Sequence, residues 1–334
     1  MRDQGGRGHR SSGDILALNP DSRPRLVVLR ALKVGDLLTA VPALRALARA
    51  FPSHRRILAA PVGLAELALH IGAIDEVVDT PHLEQLDPRL RGADVAVNLH
   101  GRGPESTALL AASAPRRLIA FDHGAGAPAW RPDEHEVTRW CRLLQQSGIA
   151  ADPDDLHVAV PDRRAPPEAI GATIVHPGAA DGARRWPADR WAAVVRSELR
   201  SGRRVVVTGG PDERRLASQV ASRAGLDQRY VLAGRTDLLD LLVVVAAGRR
   251  VVCGDTGVAH VASAVRTPSV VLFGPVPPSA WGPPHRDRHI ALWAGMAGDP
   301  HATRVDRGLL HISVADVVAA LDRLPPACPV PSGP

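Results

Sequence analysis

The sequence is poor in lysine, cysteine and aromatic residues, and these shortages exclude several classes of protein. One lysine, Lys33, stands among 41 basic residues in a chain of 334. The three cysteines, Cys141, Cys253 and Cys328, are odd in number and widely spaced, which excludes a disulfide framework and a cysteine-based metal cluster. No apolar run approaches the roughly 18 residues of a membrane-spanning helix, and residues 1–21 lack the apolar core of a secretory signal. We therefore expect a protein of the reducing cytoplasm.

The basic charge balance raises nucleic acid as a partner, but the rest of the composition argues against it. The formal net charge is +6, and the sequence pI is about 10.3. Aromatic residues make up 3% of the chain, which is too few for the stacking platforms of single-strand binders. The arginines are interspersed with carboxylates, and their preference over lysine is typical of GC-rich coding. No nucleic-acid partner is expected.

Strand-like and helix-like segments alternate along two stretches of the chain. The first stretch begins with the β-rich segment 25–30, which a glycine turn and a helical spacing of apolar residues follow. Residues 150–168 are rich in Pro and Asp, and the alternation then restarts and continues to residue 324. This pattern predicts the α/β class, with two Rossmann-like, doubly wound parallel-sheet domains that face a central cleft. The predicted boundaries are a disordered tail 1–23, domains 24–155 and 169–325, a linker 156–168 and a tail 326–334.

The turn after the first predicted strand carries Gly35 and Asp36. A carboxylate at the carboxyl end of a strand can take a proton from a bound hydroxyl; capping of the following helix is the alternative interpretation. The loop has one glycine where a dinucleotide fingerprint needs three, which argues against an NAD or ATP site. Lys33 lies three residues before Asp36, and both a cleft-facing and a plain surface position are open for it.

A second turn, residues 254–260, joins a predicted strand to a predicted helix. Its glycines, its threonine and the free N–H groups of the helix start are suited to an anion. Thr256 and His260 are four residues apart and share a helix face, so both can point at one diphosphate. A capping turn with a surface histidine is the alternative.

Two further strand ends of the second domain carry polar groups. Arg184 and Arg185 follow a glycine-rich loop and precede a helix, where guanidinium groups suit phosphate binding. Thr208 and Gly209 lead to Asp212, whose carboxylate can accept hydrogen bonds from ribose hydroxyls or cap a helix.

The remaining histidines and acidic pairs give weaker signals. His100 and Arg102 end a strand of the first domain and can face an acceptor. The D-x-D sequence of Asp152 and Asp154 lies next to the predicted linker, and we attribute it to chance. The histidines show no close metal-binding spacing, so no metal site is expected.

These motifs occur in one order, and the chain resembles glycosyltransferase family 9, the bacterial heptosyltransferases of GT-B type. The resemblance covers about residues 25 to 324 and rests on segments 29–44, 176–178, 184–187, 208–211, 253–260 and 273–275. It implies a GT-B fold with an acceptor domain followed by a donor domain. It also implies that Asp36 is the general base and that the loop with Asp255, Thr256, Gly257 and His260 cradles the donor diphosphate.

The resemblance also implies roles for the other motif residues. Arg184 stands where the family usually has a lysine that contacts the donor phosphate or sugar, and Asp212 is expected near the ribose. The implied donor-binding set is completed by Arg185, Thr208 and Gly209, and the implied acceptor side consists of Lys33, Gly35, His100 and Arg102.

The activity implied is inverting transfer of a heptose or related sugar from a nucleoside-diphosphate sugar to an acceptor hydroxyl. No cofactor and no metal are expected. The acceptor is a glycan, a lipid-linked compound or a small molecule, and peripheral contact with the inner membrane face is compatible with it. The alternatives are a nucleotide-sugar epimerase of GT-B type and a non-catalytic nucleotide-sugar binding protein.

Overall fold

The computed structural model of the protein describes residues 23–284 and 287–326. The predicted tails, residues 1–23 and 326–334, lie outside the described residues apart from Arg23 and Pro326.

The first half of the chain forms a parallel sheet of five strands in the order β3-β2-β1-β4-β5. The strands are β1 (Arg25–Leu29), β2 (Arg55–Ala60), β3 (Glu76–Asp79), β4 (Val95–Asn98) and β5 (Arg117–Ile119). The helices around this sheet are α1 (Val34–Thr39), α2 (Val41–Ala50), α3 (Ala65–His70), α4 (Glu105–Ala112) and α5 (Glu136–Gln146).

The second half forms another parallel five-stranded sheet, in the order β10-β9-β8-β6-β7. Its strands are β6 (Thr173–His176), β7 (Val205–Val207), β8 (Arg250–Gly254), β9 (Ser269–Phe273) and β10 (His289–Trp293). Its helices are α6 (Ala188–Arg200), α7 (Arg214–Ala224), α8 (Leu238–Ala247), α9 (Gly257–Ala264), α10 (Pro278–Trp281), α11 (Arg307–His311) and α12 (Val314–Arg323). A single parallel bridge from Val207 to Val231 adds a rudimentary strand beyond β7, which completes the doubly wound order of a Rossmann fold.

The sequence predictions of class and alternation are confirmed. Every residue of β8 and β9 is buried, as expected for strands covered by helices on both faces. The apolar residues after Gly35 predicted one helical stretch, and the structure has two helices there, α1 and α2. Ala40 caps the end of α1, and α2 begins with Val41 and Pro42. Proline has no N–H for a hydrogen bond to the preceding turn, so the chain restarts there.

The predicted linker 156–168 lies in a stretch without helix or strand. Its Val158 N–H donates to the carbonyl oxygen of Ala264 at 3.0 Å, which ties it to the end of α9. The exact domain boundaries remain a prediction.

Helices α1 and α9 meet at two glycines. A Cβ atom added to Gly257 would lie 2.3 Å from Val34 Cγ1, and one added to Gly35 would lie 2.9 Å from His260 Cδ2. Real Cβ atoms are not found at such distances, so the helices approach this closely only because both positions lack a side chain. The contact brings the carboxyl end of β1, in the first sheet, next to the carboxyl end of β8, in the second.

We predict that Gly257→Ala destabilises the protein by about 1–3 kcal/mol, because the new methyl group overpacks against Val34. Val34→Ala in the same chain should restore most of this loss. Thermal unfolding of the single and double variants measures both effects. Gly63→Ala is the matched control, since a Cβ there meets nothing within 4 Å. Equal melting temperatures for Gly257→Ala and Gly63→Ala would contradict the prediction.

Candidate functional site

A cleft of about 460 Å³ lies between the two domains. It contains eight of the residues predicted from the sequence, from both halves of the chain: Lys33, Gly35, Asp36, Arg184, Asp255, Thr256, Gly257 and His260. The other predicted residues are not part of its lining.

Asp36 is the third residue of α1, and its side chain is 20% exposed in the cleft. The backbone N–H of Lys33 donates to Asp36 Oδ2 at 3.1 Å, which caps the helix. The capping and the cleft-facing interpretations of Asp36 are therefore compatible, since one carboxylate caps α1 and also faces the cleft. Asp36 Oδ1 lies 3.9 Å from a guanidinium nitrogen of Arg30.

Arg30 is a fully buried cation beneath Asp36 that the sequence analysis did not single out. Its Nε donates to the backbone oxygen of Asp36 at 2.5 Å, and another nitrogen donates to Glu136 Oε1 at 3.0 Å. It also donates to the carbonyl oxygen of Leu99, and its guanidinium lies 5.0 Å from the ring centroid of Trp140. A buried charge needs such partners. The sequence feature that could have indicated a buried arginine is the position of Arg30 directly after the apolar strand β1.

The amino end of α9 faces the cleft. Its capping residue Thr256 has an extended backbone, and its side chain makes no capping hydrogen bond. The N–H groups of the first turn have no partner within the helix, and the helix dipole places positive potential at this end. This arrangement can bind an anion, as a diphosphate would require.

Asp255 is a buried carboxylate beside this anion site. Burial raises its pKa from the ordinary value of 3.8 to about 6, against the lowering effect of Arg184, while nearby Asp36 raises it further. The two charged groups, Arg184 and Asp255, are 3.9 Å apart at their nearest atoms. Asp255 is thus largely ionised at neutral pH.

His260 also lies in the cleft rather than on an open surface. Burial lowers its pKa to about 4, and the neighbouring His135 and Arg30 act in the same direction, against Glu136. Its ring packs edge-on against Trp281, with ring centroids 6.2 Å apart. His260 is therefore neutral at pH 7.

Arg184 lies at the end of a short 3-10 helix, Gly182–Arg184, on the second-domain side of the cleft. Its guanidinium donates to Asp181 Oδ2 at 2.6 Å, and its Nε is buried without a hydrogen-bond partner. Arg185 is directed elsewhere: its guanidinium donates to the carbonyl oxygens of Ala179 and Ala180 at 2.8 and 3.1 Å. The loop backbone holds Arg185 outside the cleft lining.

The predicted acceptor-side residues His100 and Arg102 both lie outside the lining of the cleft. His100 has a buried Nδ1 without a partner, and its pKa is lowered by burial and by Arg30, against Asp36. Arg102 pairs with Asp122 at 3.2 Å and lines a different pocket of about 460 Å³.

At the end of β7, Thr208 is fully buried, and its hydroxyl lies 3.1 Å from His176 Nδ1. Burial lowers the pKa of His176, against the raising effect of Glu213. Gly209 is tightly packed, since a Cβ there would lie 3.1 Å from the Cβ of Ala233. These residues support the strand end from within.

Asp212 is exposed, and its neighbour Glu213 faces the glycine loop instead. Glu213 Oε2 accepts a hydrogen bond from the Gly210 N–H at 2.7 Å and lies 3.5 Å from His176 Nε2. The short 3-10 helix Pro211–Glu213 sets this orientation. The sequence pattern predicted Asp212 for this position, but the direction of the two adjacent carboxylates depends on that turn.

Neither a metal cluster nor a membrane-spanning helix is found in the part of the chain that the structure describes. No three His, Cys, Asp or Glu side chains of residues 23–284 and 287–326 are grouped to hold a metal ion. No helix in these ranges is long and apolar enough to cross a membrane.

Two Rossmann-like domains around a shared cleft define the GT-B architecture. The model of glycosyltransferase family 9 (heptosyltransferase) matches residues 105–314. This is more than half of the chain, and the protein belongs to this family.

Among curated relatives, lipopolysaccharide heptosyltransferase 3 of Escherichia coli is 31% identical over 160 residues, 46% of this chain and 47% of the relative. Lipopolysaccharide heptosyltransferase 2 of Salmonella typhimurium is 33% identical over 36% of each chain. These matches thus span half or less of either relative. Lipopolysaccharide heptosyltransferase 1 of Pseudomonas aeruginosa is 25% identical over 77% of this chain and 81% of its own.

Solved structures confirm the fold. A family 9 glycosyltransferase from Veillonella parvula superposes with a TM-score of 0.71 at 20% identity, over 90% of this chain and 96% of its own. The ADP-heptose lipopolysaccharide heptosyltransferase II of E. coli gives a TM-score of 0.69 at 21% identity, over 89% and 97%.

We predict that Asp255→Asn stabilises the folded protein at neutral pH. Because the folded-state pKa of Asp255 is raised to about 6, the folded protein binds more protons than the unfolded chain between about pH 4 and 6, and stability falls as pH rises through this window. The variant should gain about 2–3 kcal/mol at pH 7.5, and the gain should shrink as pH falls to 4. Urea denaturation at several pH values measures it. Asp189→Asn, at an 81% exposed side chain, is the control. A gain that is independent of pH would contradict the assignment.

Proposed function

We propose that this protein is an inverting glycosyltransferase that moves a heptose or related sugar from a nucleoside-diphosphate sugar to an acceptor hydroxyl. The observation that carries the proposal is that Asp36, on the first domain, and the amino end of α9, on the second, line the same cleft. The membership in family 9 and the relatives named as heptosyltransferases support it.

On the donor side, the diphosphate binds at the amino end of α9. The Thr256 hydroxyl and the N–H groups of the first turn donate hydrogen bonds to its oxygens. Arg184 supplies positive charge from the neighbouring loop. Negative charge builds on the nucleoside diphosphate as the sugar leaves, so these fixed donors bind the transition state more tightly than the ground state.

On the acceptor side, Asp36 is the general base. Its carboxylate takes the proton of the acceptor hydroxyl as that oxygen attacks the anomeric carbon, and the bond to the diphosphate breaks. One displacement of this kind inverts the anomeric centre. The Lys33 N–H and buried Arg30 hold the carboxylate in place.

The nucleoside is proposed to extend along the second sheet toward the ends of β6 and β7. His176 at the end of β6 is in register with Cys253 of β8, so these strand ends adjoin the anion site. Glu213 at this edge is a stronger candidate than Asp212 for the ribose hydroxyls, because its carboxylate faces the glycine loop.

No metal is needed in this account, because Arg184 and the α9 terminus supply the positive field. Metal independence stays a proposal, as do a cytoplasmic location and peripheral contact with the inner membrane face. The acceptor is proposed to be a glycan, a lipid-linked compound or a small molecule.

We predict that one class of nucleoside-diphosphate sugar stabilises the protein against heat. A panel of ADP-, GDP-, UDP- and dTDP-sugars should reveal it, with stabilisation of about 2.7 kcal/mol at a hundredfold excess over Kd. ADP-sugars should be tested first, because a related E. coli heptosyltransferase, WaaC, has been solved with ADP. Stabilisation by none of the four would contradict the proposal. Conversion of the donor to an epimer without acceptor would favour the epimerase alternative.

We predict that Asp36→Asn lowers kcat by about 10²–10⁴-fold, because the amide cannot accept the acceptor proton. Donor binding, measured by the same thermal shift, should persist. Asp322→Asn is the matched control, since that exposed carboxylate pairs with Arg203 outside the cleft. Near-normal turnover by Asp36→Asn would remove Asp36 from the mechanism. Donor binding without turnover in the wild type would favour the non-catalytic binding protein.

A further inference from the structure

The sole lysine of the chain lines the cleft. Lys33 directly precedes α1 and stands on the first-domain lip, and Asp181 and Arg184 line the same cleft from the second domain. Its side chain is exposed, so the flexible stem has room to move the ammonium group.

The Lys33 ammonium group makes no hydrogen bond or ion pair with any residue that the structure describes. Its backbone N–H is the group that donates to Asp36. Side chain and backbone therefore have separate roles at this position. A substitution that changes the side chain alone leaves the capping bond of Asp36 in place.

The charges around the cleft explain why the Lys33 ammonium group is important for binding an anion here. Three carboxylates line it, those of Asp36, Asp181 and Asp255, against two permanent cations, Lys33 and Arg184. Arg184 is already bonded to Asp181 at 2.6 Å. That bond, and secondarily the fields of His301 and Lys33, lowers the pKa of Asp181 against the effect of burial. Because Asp181 partly neutralises Arg184, a further cation in this lining strengthens the attraction for a dianionic diphosphate.

We propose that the Lys33 ammonium group binds the donor diphosphate from the side of the first domain. The diphosphate is then held between Lys33 on one domain and Arg184 and the α9 terminus on the other. This inference rests on the proposed function, and it adds a donor contact from the domain that otherwise serves the acceptor.

The uniqueness of Lys33 allows a direct chemical test. Reductive methylation with ¹³C-formaldehyde modifies lysine and α-amino groups, so the full chain should give one lysine signal, with the α-amino signal as an internal control. Saturating ADP, or the nucleoside diphosphate identified by thermal shift, should slow methylation of Lys33 about tenfold, as expected for a hydrogen bond between charged groups. The α-amino rate should not change.

The outcomes separate this inference from the proposed function. Thermal stabilisation by the nucleotide with no change in the Lys33 methylation rate overturns the role of Lys33 and leaves the proposed function standing. An absence of stabilisation by every nucleotide overturns both.

A variant gives an independent measurement. Lys33→Gln should lower kcat/KM for the donor about tenfold, because the lost cation contacts the diphosphate in the ground state and in the transition state while Asp36 keeps its capping bond. Arg116→Gln is the control, since that side chain is 83% exposed and pairs with Asp94 away from the cleft. A wild-type kcat/KM for the donor in Lys33→Gln overturns the proposal.

Discussion

The close contact of α1 with α9 is the constraint on which the site depends. Each helix begins at the carboxyl end of a central strand, and each carries a glycine where they meet, Gly35 and Gly257. With side chains there the helices would have to separate, and Asp36 would move away from Thr256. The two parallel sheets supply rigid strand ends, and the glycine contact turns two separate strand ends into one cleft.

The electrostatics of the cleft follow from this geometry. A helix amino end and Arg184 create positive potential next to the buried carboxylate of Asp255, whose raised pKa reports the cost of its burial. The first domain adds Asp36, which rests on the buried cation Arg30. Positive and negative groups thus lie on both sides of the cleft. In our proposal, Arg184 and the amino end of α9 bind the diphosphate, and Asp36 takes the acceptor proton. Family membership and fold are established independently of that proposal.

Much of the fold could be predicted from the sequence, because buried strands and amphipathic helices leave local signals. The strand before the turn 254–260 and the helix after it were predicted, and the structure has them as β8 and α9. The motif residues nearest the cleft were also found, since strand ends of parallel sheets converge. Side-chain directions were harder. Arg185 bonds to its own loop, and Arg102 bonds to Asp122, twenty residues away in sequence.

Long-range partners explain the residues that sequence reasoning missed. Arg30 is important because Glu136, 106 positions later, shares its buried site. Glu213 rather than Asp212 faces the glycine loop because a one-turn 3-10 helix sets its direction. Neither the Arg30–Glu136 contact nor the direction of Glu213 can be predicted from a short segment of sequence.

The central claim is that one nucleoside-diphosphate sugar spans both domains in this cleft. A crystal structure of the protein with a non-reactive fluorinated donor tests it most directly. The account predicts diphosphate oxygens within hydrogen-bond distance of Thr256 and the first N–H groups of α9, with the anomeric carbon facing Asp36. A diphosphate bound elsewhere, or a sugar that faces away from Asp36, would contradict it.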